Sequence, residues 1–234
     1  MNILAIGAHP DDLELGCGGT LAKYASRGDN VFMCHISTGN VGHKIIMPEE
    51  LVKIRAKEAQ EAGRLIGSEV IGLGESDLFI RSDNMKTRDK IVDVIRSTKP
   101  DIIITHSPHD YMDDHEETSR LVYEASMAAT VPHHYTRYEY YPKLTPIYYM
   151  EPVCGINSLP TEYVDITEFI EIKLQMMSKH ESQIKWLKDH DNMDFLDLAR
   201  TMAKFRGYQC DTGYAEGFTY CAAYHKLSTK RLLP

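Results

Sequence analysis

The sequence predicts an α/β fold, a mostly parallel sheet with helices on both faces and a C-terminal elaboration. Three observations predict it. Near-continuous apolar runs recur at "MNILAIGA", "NVFMCHIST" and "DIIITHS", the pattern of strands buried on both faces. Segments with helical periodicity separate these runs, which implies βαβ units. Each run ends in polar residues able to do chemistry: "HPDD", "STGN" and "HSPHDYMDDH".

Taken in order, "MNILAIGA" is the first strand. Glycines 16, 18 and 19 lead into a helix over "TLAKYASRG", closed by Gly28 as a C-cap residue. "NVFMCHIST" is the second strand. "MPEELVKIRAKEAQEAGRLIG" is an amphipathic helix with Leu51, Ile54, Ala59, Ala62 and Leu65 at helical spacing, followed by Gly67. "EVIGLG" reads as a short strand and "TRDKIVDVIRSTKP" as a helix stopped by Pro100. "DIIITHS" is a further strand, and "DHEETSRLVYEASMAAT" a helix with Glu116 and Glu117 in its first turn. After Pro132 the chain becomes tyrosine-rich, and "TEFIEIKLQMMSKHESQIKWL" returns to helix.

No repeat, low-complexity segment or linker interrupts the 234 residues. One domain over 1–234 is expected, with a core over 1–130 and an elaboration over 131–234. The formal charge of −8, without a basic cluster, argues against a nucleic-acid partner. The start "MNILAIGA" lacks a basic region and a secretory apolar stretch, and no apolar run reaches the roughly 20 residues of a membrane span. The five cysteines are scattered and never in a CxxC pair, which fits reduced thiols. A cytoplasmic protein is expected.

In open α/β sheets, ligands sit beyond the carboxyl ends of the strands near a topological switch point. The three polar loops are therefore expected to open on one edge. His9 and Asp12 straddle a proline and can converge on one point. His115, beside Asp114, offers a third ligand from another strand end. Three protein ligands and a water are the usual catalytic arrangement for zinc. Asp12 then binds metal, and Asp11 takes a proton from the bound water. The plainer alternative is that Asp11 and Asp12 cap a helix, accepting its free N–H groups. The glycines of "GCGGT" lack GxGxxG spacing and fit close helix–strand packing. His106, His109, His133, His134 and His180, taken singly, read as surface or satisfied residues.

"AIGAHPDDLELGCGGTLA", "STGN", "IRAKEAQEAGRLIG" and "PDIIITHSPHDYMDDHEETSRLV", with the later "KHESQ" and "GYAEGF", resemble the LmbE-like family, also called the PIG-L deacetylases. The resemblance covers most of the chain and implies a Rossmann-like α/β sandwich. It implies a zinc-dependent N-deacetylase, with Fe2+ or another divalent ion as the alternative metal, acting on small acetylated amino sugars. By the same resemblance His9, Asp12 and His115 hold the metal and Asp11 is the general base. Asp114 orients a catalytic neighbour. Arg55, matching a substrate-holding arginine, is assigned to substrate binding together with Asn40 of "STGN" and Tyr111. Homo-oligomers, commonly hexamers, are also implied, with the aromatic 133–149 segment as an interface.

One position departs from the pattern. Where many relatives read His-Pro-Asp-His, this chain reads Met112-Asp113-Asp114-His115. A thioether cannot donate a hydrogen bond to a developing oxyanion, so that role is either vacant or filled by another residue such as Tyr111, His109 or His106. The departure keeps two alternatives open: hydrolysis of another amide or an ester, and a metal- and sugar-binding module with little turnover.

Overall fold

The computed structural model describes residues 1–224 and 226–234. Its elements are β1 (Asn2–Gly7), α1 (Asp12–Ser26), β2 (Asn30–Ser37), α2 (Pro48–Arg64), β3 (Glu69–Glu75), α3 (Met85–Thr98), β4 (Ile102–His106) and α4 (Asp113–Ala128). They continue with β5 (Ile147–Met150), β6 (Glu162–Asp165), α5 (Ile170–Met177), α6 (Glu181–Asp191), α7 (Phe195–Gln209) and β7 (Ala215–Tyr220). The seven strands form one sheet in the order β3-β2-β1-β4-β5-β7-β6. The first five are parallel, while β7 runs antiparallel to both β5 and β6.

Side-chain alternation along β1 sends Ile3 and Ala5 to one face and Leu4 and Ile6 to the other. The first pair packs with Val31, Met33, Ile102 and Ile104 under α1, α5 and α7. The second packs with Cys34, Ile36 and Ile103 under α3 and α4. Each fully buried Ile or Leu contributes about 1.5–3 kcal/mol, so this doubly covered centre holds β1 and β4 rigidly. The order reverses between β1 and β4, since β2 lies on one side of β1 and β4 on the other. That switch point is where the β1–α1 and β4–α4 loops meet.

The observed elements revise the sequence reading in two places. Helix α1 begins at Asp12, so the three glycines lie inside it. A Cβ at Gly16 would collide with Met150, and one at Gly19 with Ile166; the packing explanation for these glycines holds, but within the helix. The segment "TEFIEIKLQMMSKHESQIKWL" is not one helix. It breaks between α5 and α6, where His180 leaves helical geometry (φ −83°, ψ 57°) and Ser182 donates from both its N–H and Oγ to Glu58.

The stretch after α4 is ordered by Arg96 of α3. Its buried guanidinium donates to the carbonyls of Ala129, Val131, His134 and Tyr138. Carbonyl groups of an irregular segment thereby find donors away from water.

Candidate active site

The three polar loops do open on one edge, at the carboxyl ends of parallel β1, β2 and β4. The β1–α1 turn carries His9, Asp11 and Asp12. Asp11 stands before the helix with φ 114° and makes no side-chain cap hydrogen bond, so the helix-cap alternative fails for it. This is a left-handed backbone that a non-glycine residue adopts at a cost. Asp12 Oδ2 accepts the His9 backbone N–H at 2.6 Å, which closes the turn.

Around Asp12 the imidazoles are arranged by carboxylates behind them. His9 Nε2 lies 3.0 Å from Asp77 Oδ1 and 3.3 Å from Asp114 Oδ2. That places the proton of neutral His9 on Nε2 and leaves a lone pair on Nδ1, 3.3 Å from Asp12 Oδ2. His115 repeats the arrangement. Its Nδ1 is 3.1 Å from Asp110 Oδ2, and its Nε2, 3.3 Å from Asp12 Oδ1, is buried without a hydrogen-bond partner. As neutral rings the two imidazoles would aim lone pairs at a carboxylate, which is repulsive unless a proton or a metal cation lies between them. Carboxylate partners behind metal-bound histidines are the usual means of fixing such tautomers.

In the metal-free chain a proton on each ring can supply that positive charge. Burial would lower the His115 pKa, but Asp12 and Asp110 outweigh it and lift it to about 9. Burial pulls His9 down as well, yet Asp12, Asp114 and Asp77 leave it well above its ordinary value. Burial would raise Asp12, and the three imidazoles of His115, His106 and His9 hold it well below the usual carboxylate range. The cluster has an excess of carboxylate that calls for positive charge. One atom each from His9, Asp12 and His115 lie within 4.8 Å of one another, and the donor set of two imidazoles and a carboxylate fits a divalent ion.

Asp11 is separate from this cluster. Its Oδ1 accepts from Arg55 Nη2 at 3.1 Å, and the same guanidinium group donates to the carbonyls of Pro10 and Gly39. Burial, opposed by Arg55 and reinforced by Asp12, raises the Asp11 pKa to about 6. Arg55 thus contacts the predicted base as well as lining the cavity. Behind it His180 and Glu14, both fully buried, sit 3.0 Å apart; taken singly His180 reads as a surface or satisfied histidine, and only its place in "KHESQ" pointed further.

A cavity of about 400 Å3 opens over these groups, and Tyr111 and Met112 line it with His9, Asp11, Asp12 and His115. Tyr111 is 62% exposed, and its ring stands edge-on to His115 at 6.4 Å. Of the alternatives to Met112, His109 is exposed on the surface. His106 is buried and stacked on His115 at 3.9 Å, with Nε2 accepting from the Ala8 N–H. Asn40 is not among the cavity's lining residues. Its side-chain oxygen accepts from Ser76 Oγ and the Asp77 N–H, so it fixes the loop that carries Asp77. Asp77 and Asp110 were not singled out from sequence. Both lie in loops at the same sheet edge, and that placement was the available signal.

The model of a family described as "PIG-L: GlcNAc-PI de-N-acetylase" matches residues 4–126. Diacetylchitobiose deacetylase of Thermococcus kodakarensis is 27% identical over 227 residues, spanning 93% of this chain and 82% of that protein. The structure of N,N'-diacetylchitobiose deacetylase from Pyrococcus horikoshii superposes with a TM-score of 0.81 at 26% identity, covering 94% of this chain and 83% of that one. GalB, the 4-carboxy-2-hydroxymuconate hydratase of Pseudomonas putida, superposes with a TM-score of 0.82 at 22% identity, over 99% of this chain and 100% of that one. The last similarity is one of fold.

Proposed function

The chain belongs to the PIG-L family, and from that premise we propose that it is a metal-dependent N-deacetylase of small N-acetylglucosamine conjugates. The observation that carries this reading is the pair of imidazole nitrogens converging on Asp12, with Asp11 beside them in one cavity. Similarity to diacetylchitobiose deacetylases supports an acetylated amino sugar as the substrate.

A zinc ion, or another divalent ion such as Fe2+, held by His9, Asp12 and His115 would supply Lewis-acid polarisation of the amide carbonyl and acidify a water. Asp11 accepts a proton from the attacking water and returns it to the leaving amine, giving acetate and the free amino sugar. Burial, opposed by Arg55, raises this carboxyl above its ordinary value, which favours proton uptake. Arg55 holds that carboxylate in place. Asp77 and Asp114 keep His9, and Asp110 keeps His115, in the tautomer a metal requires. Burial, with Asp110 and Asp12, raises the Tyr111 phenol to about 12, so it stays a hydrogen-bond donor. We assign it to the substrate oxygen where Met112 has nothing to donate.

Met112 keeps the second reading in view, a module that binds metal and sugar with little turnover. Acetate release from a set of N-acetylglucosamine conjugates, with metal content measured on the same sample and a chelator control, tests the choice. Metal-dependent release supports deacetylation. A metal-loaded protein that releases nothing, yet gains activity as Met112→His, supports the binding module. Among the described residues no helix is long and apolar enough to cross a membrane, and exposed Tyr135 and Tyr140 leave the 133–149 segment as the proposed homo-oligomer interface.

A further inference from the structure

The cavity over the cluster has two chemically different walls. The strand-end loops supply the histidines, Arg55 and all the aspartates but Asp191, with Val41, Leu78 and Met112 among them. The other wall comes from α6, α7 and their connection, and there Trp186, Leu187, Met193 and Phe195 face the space, with Gln183 and Asp191 as the polar side chains. This wall is braced. Leu187 and Met193 pack against the core cluster that contains Phe195, and the Trp186 ring stacks on His190 one turn later at 4.3 Å. His43, from the β2–α2 loop, stands 6.4 Å from the same indole.

The acetamide and the hydroxyl groups of a sugar are served by the polar wall. The C–H face of a sugar ring can cover one aromatic side chain, and four large apolar side chains exceed what a single pyranose presents. Ligand sites place a few polar groups to orient and an apolar surface to bind, and here all the charged lining groups except Asp191 lie on the strand-end wall. We infer that the α6–α7 wall is a second subsite taking an apolar or flat ring group attached to the amino sugar. The preferred substrate is then a conjugate with a hydrophobic aglycone, rather than N-acetylglucosamine alone. The inference rests on the deacetylase reading only for the acetamide half of the ligand.

Trp186 is the one tryptophan of the chain, so intrinsic emission reports on this wall without turnover. The probes are N-acetylglucosamine, its phenyl β-glycoside, and phenyl β-glucoside, which lacks the acetamide. Both phenyl glycosides are expected to change the emission saturably, and the acetylated one to bind about tenfold more tightly than N-acetylglucosamine. In the Leu187→Ser/Met193→Ser protein that ratio is expected to fall to about two. Met193→Gln alone, at a partly buried position, is the milder variant should the pair fail to fold, and it too is expected to lower the ratio. Equal binding of the sugar and its phenyl glycoside, or a ratio that survives these substitutions, overturns the subsite. Emission that responds to phenyl β-glucoside in a protein releasing no acetate would leave the subsite standing and remove the deacetylase reading. Acetate release with no preference for the phenyl group would do the reverse.

Discussion

Beside the Glu14–His180 pair, helix α1 touches two buried charge clusters that differ in one respect. Midway along it, Lys173 donates to Glu216 Oε1 and to the Leu15 carbonyl, each at 2.5 Å, while Glu216 also accepts from the Gly19 and Thr20 N–H groups. The pair bridges a gap in the helix ladder and leaves none of its atoms without a partner. At the N-terminus of the same helix, Asp12 faces the ring nitrogens of His9 and His115, and His115 Nε2 has no hydrogen-bond partner. Burial of charge is common to both. Of these two, incompleteness marks only the second, where the ligand atoms also converge beside a cavity.

The comparison breaks most visibly on metal removal. A chelator is expected to abolish acetate release, with zinc restoring it, and to lower thermal stability. The loss is about 2.7 kcal/mol if metal had been present at a hundredfold its Kd. Next in size, Asp11→Asn is expected to lower kcat by about 10²–10⁴ while metal content stays as in the parent. A variant with both metal and full activity would remove Asp11 as the base.

On the satisfied side, Lys173→Met is expected to destabilise the fold by about 3–5 kcal/mol, because it leaves Glu216 buried and uncompensated. Lys173→Met/Glu216→Gln should recover much of that in urea unfolding. Metal content per folded chain is expected to be unchanged, and a loss of metal without a loss of stability would erase the contrast between the clusters. A smaller effect belongs to Asp110→Asn, which should weaken metal affinity about 10–100-fold by freeing the His115 tautomer. Titration against a competing chelator measures it.

The smallest concerns Lys226, a buried amine held by Ser126 Oγ and the Thr145 carbonyl. Burial draws its pKa down to about 8. Between about 8 and the ordinary lysine value near 10.4, the unfolded chain binds a proton that the folded chain does not. Stability contributed here therefore rises with pH through that window. Lys226→Met is expected to flatten the rise, read from urea midpoints across the range.

Much of the fold was legible because β1, β2 and β4 are buried on both faces and their composition shows it. The break at His180 was not, since apolar periodicity runs through it. The interruption is set by contacts with Glu14 and Glu58, far away in sequence. The start of α1 was obscured because glycines used for close packing look like a loop. At the site, His9, Asp11, Asp12 and His115 stood out because strand ends concentrate chemistry. Asp77, Asp110 and the Trp186 wall did not, as their meaning arises only when loops and α6–α7 converge on one edge. The hydratase of similar backbone shows why fold alone could not supply the chemistry.

The central claim is that the lone pairs around Asp12 hold a divalent ion. Its most direct test is metal content per folded chain after dialysis against zinc and desalting, compared between the parent and His115→Ala. The account predicts about one zinc in the parent, as in a three-ligand site, and background in the variant. A parent without metal, or a His115→Ala protein that retains it in full, would contradict the claim.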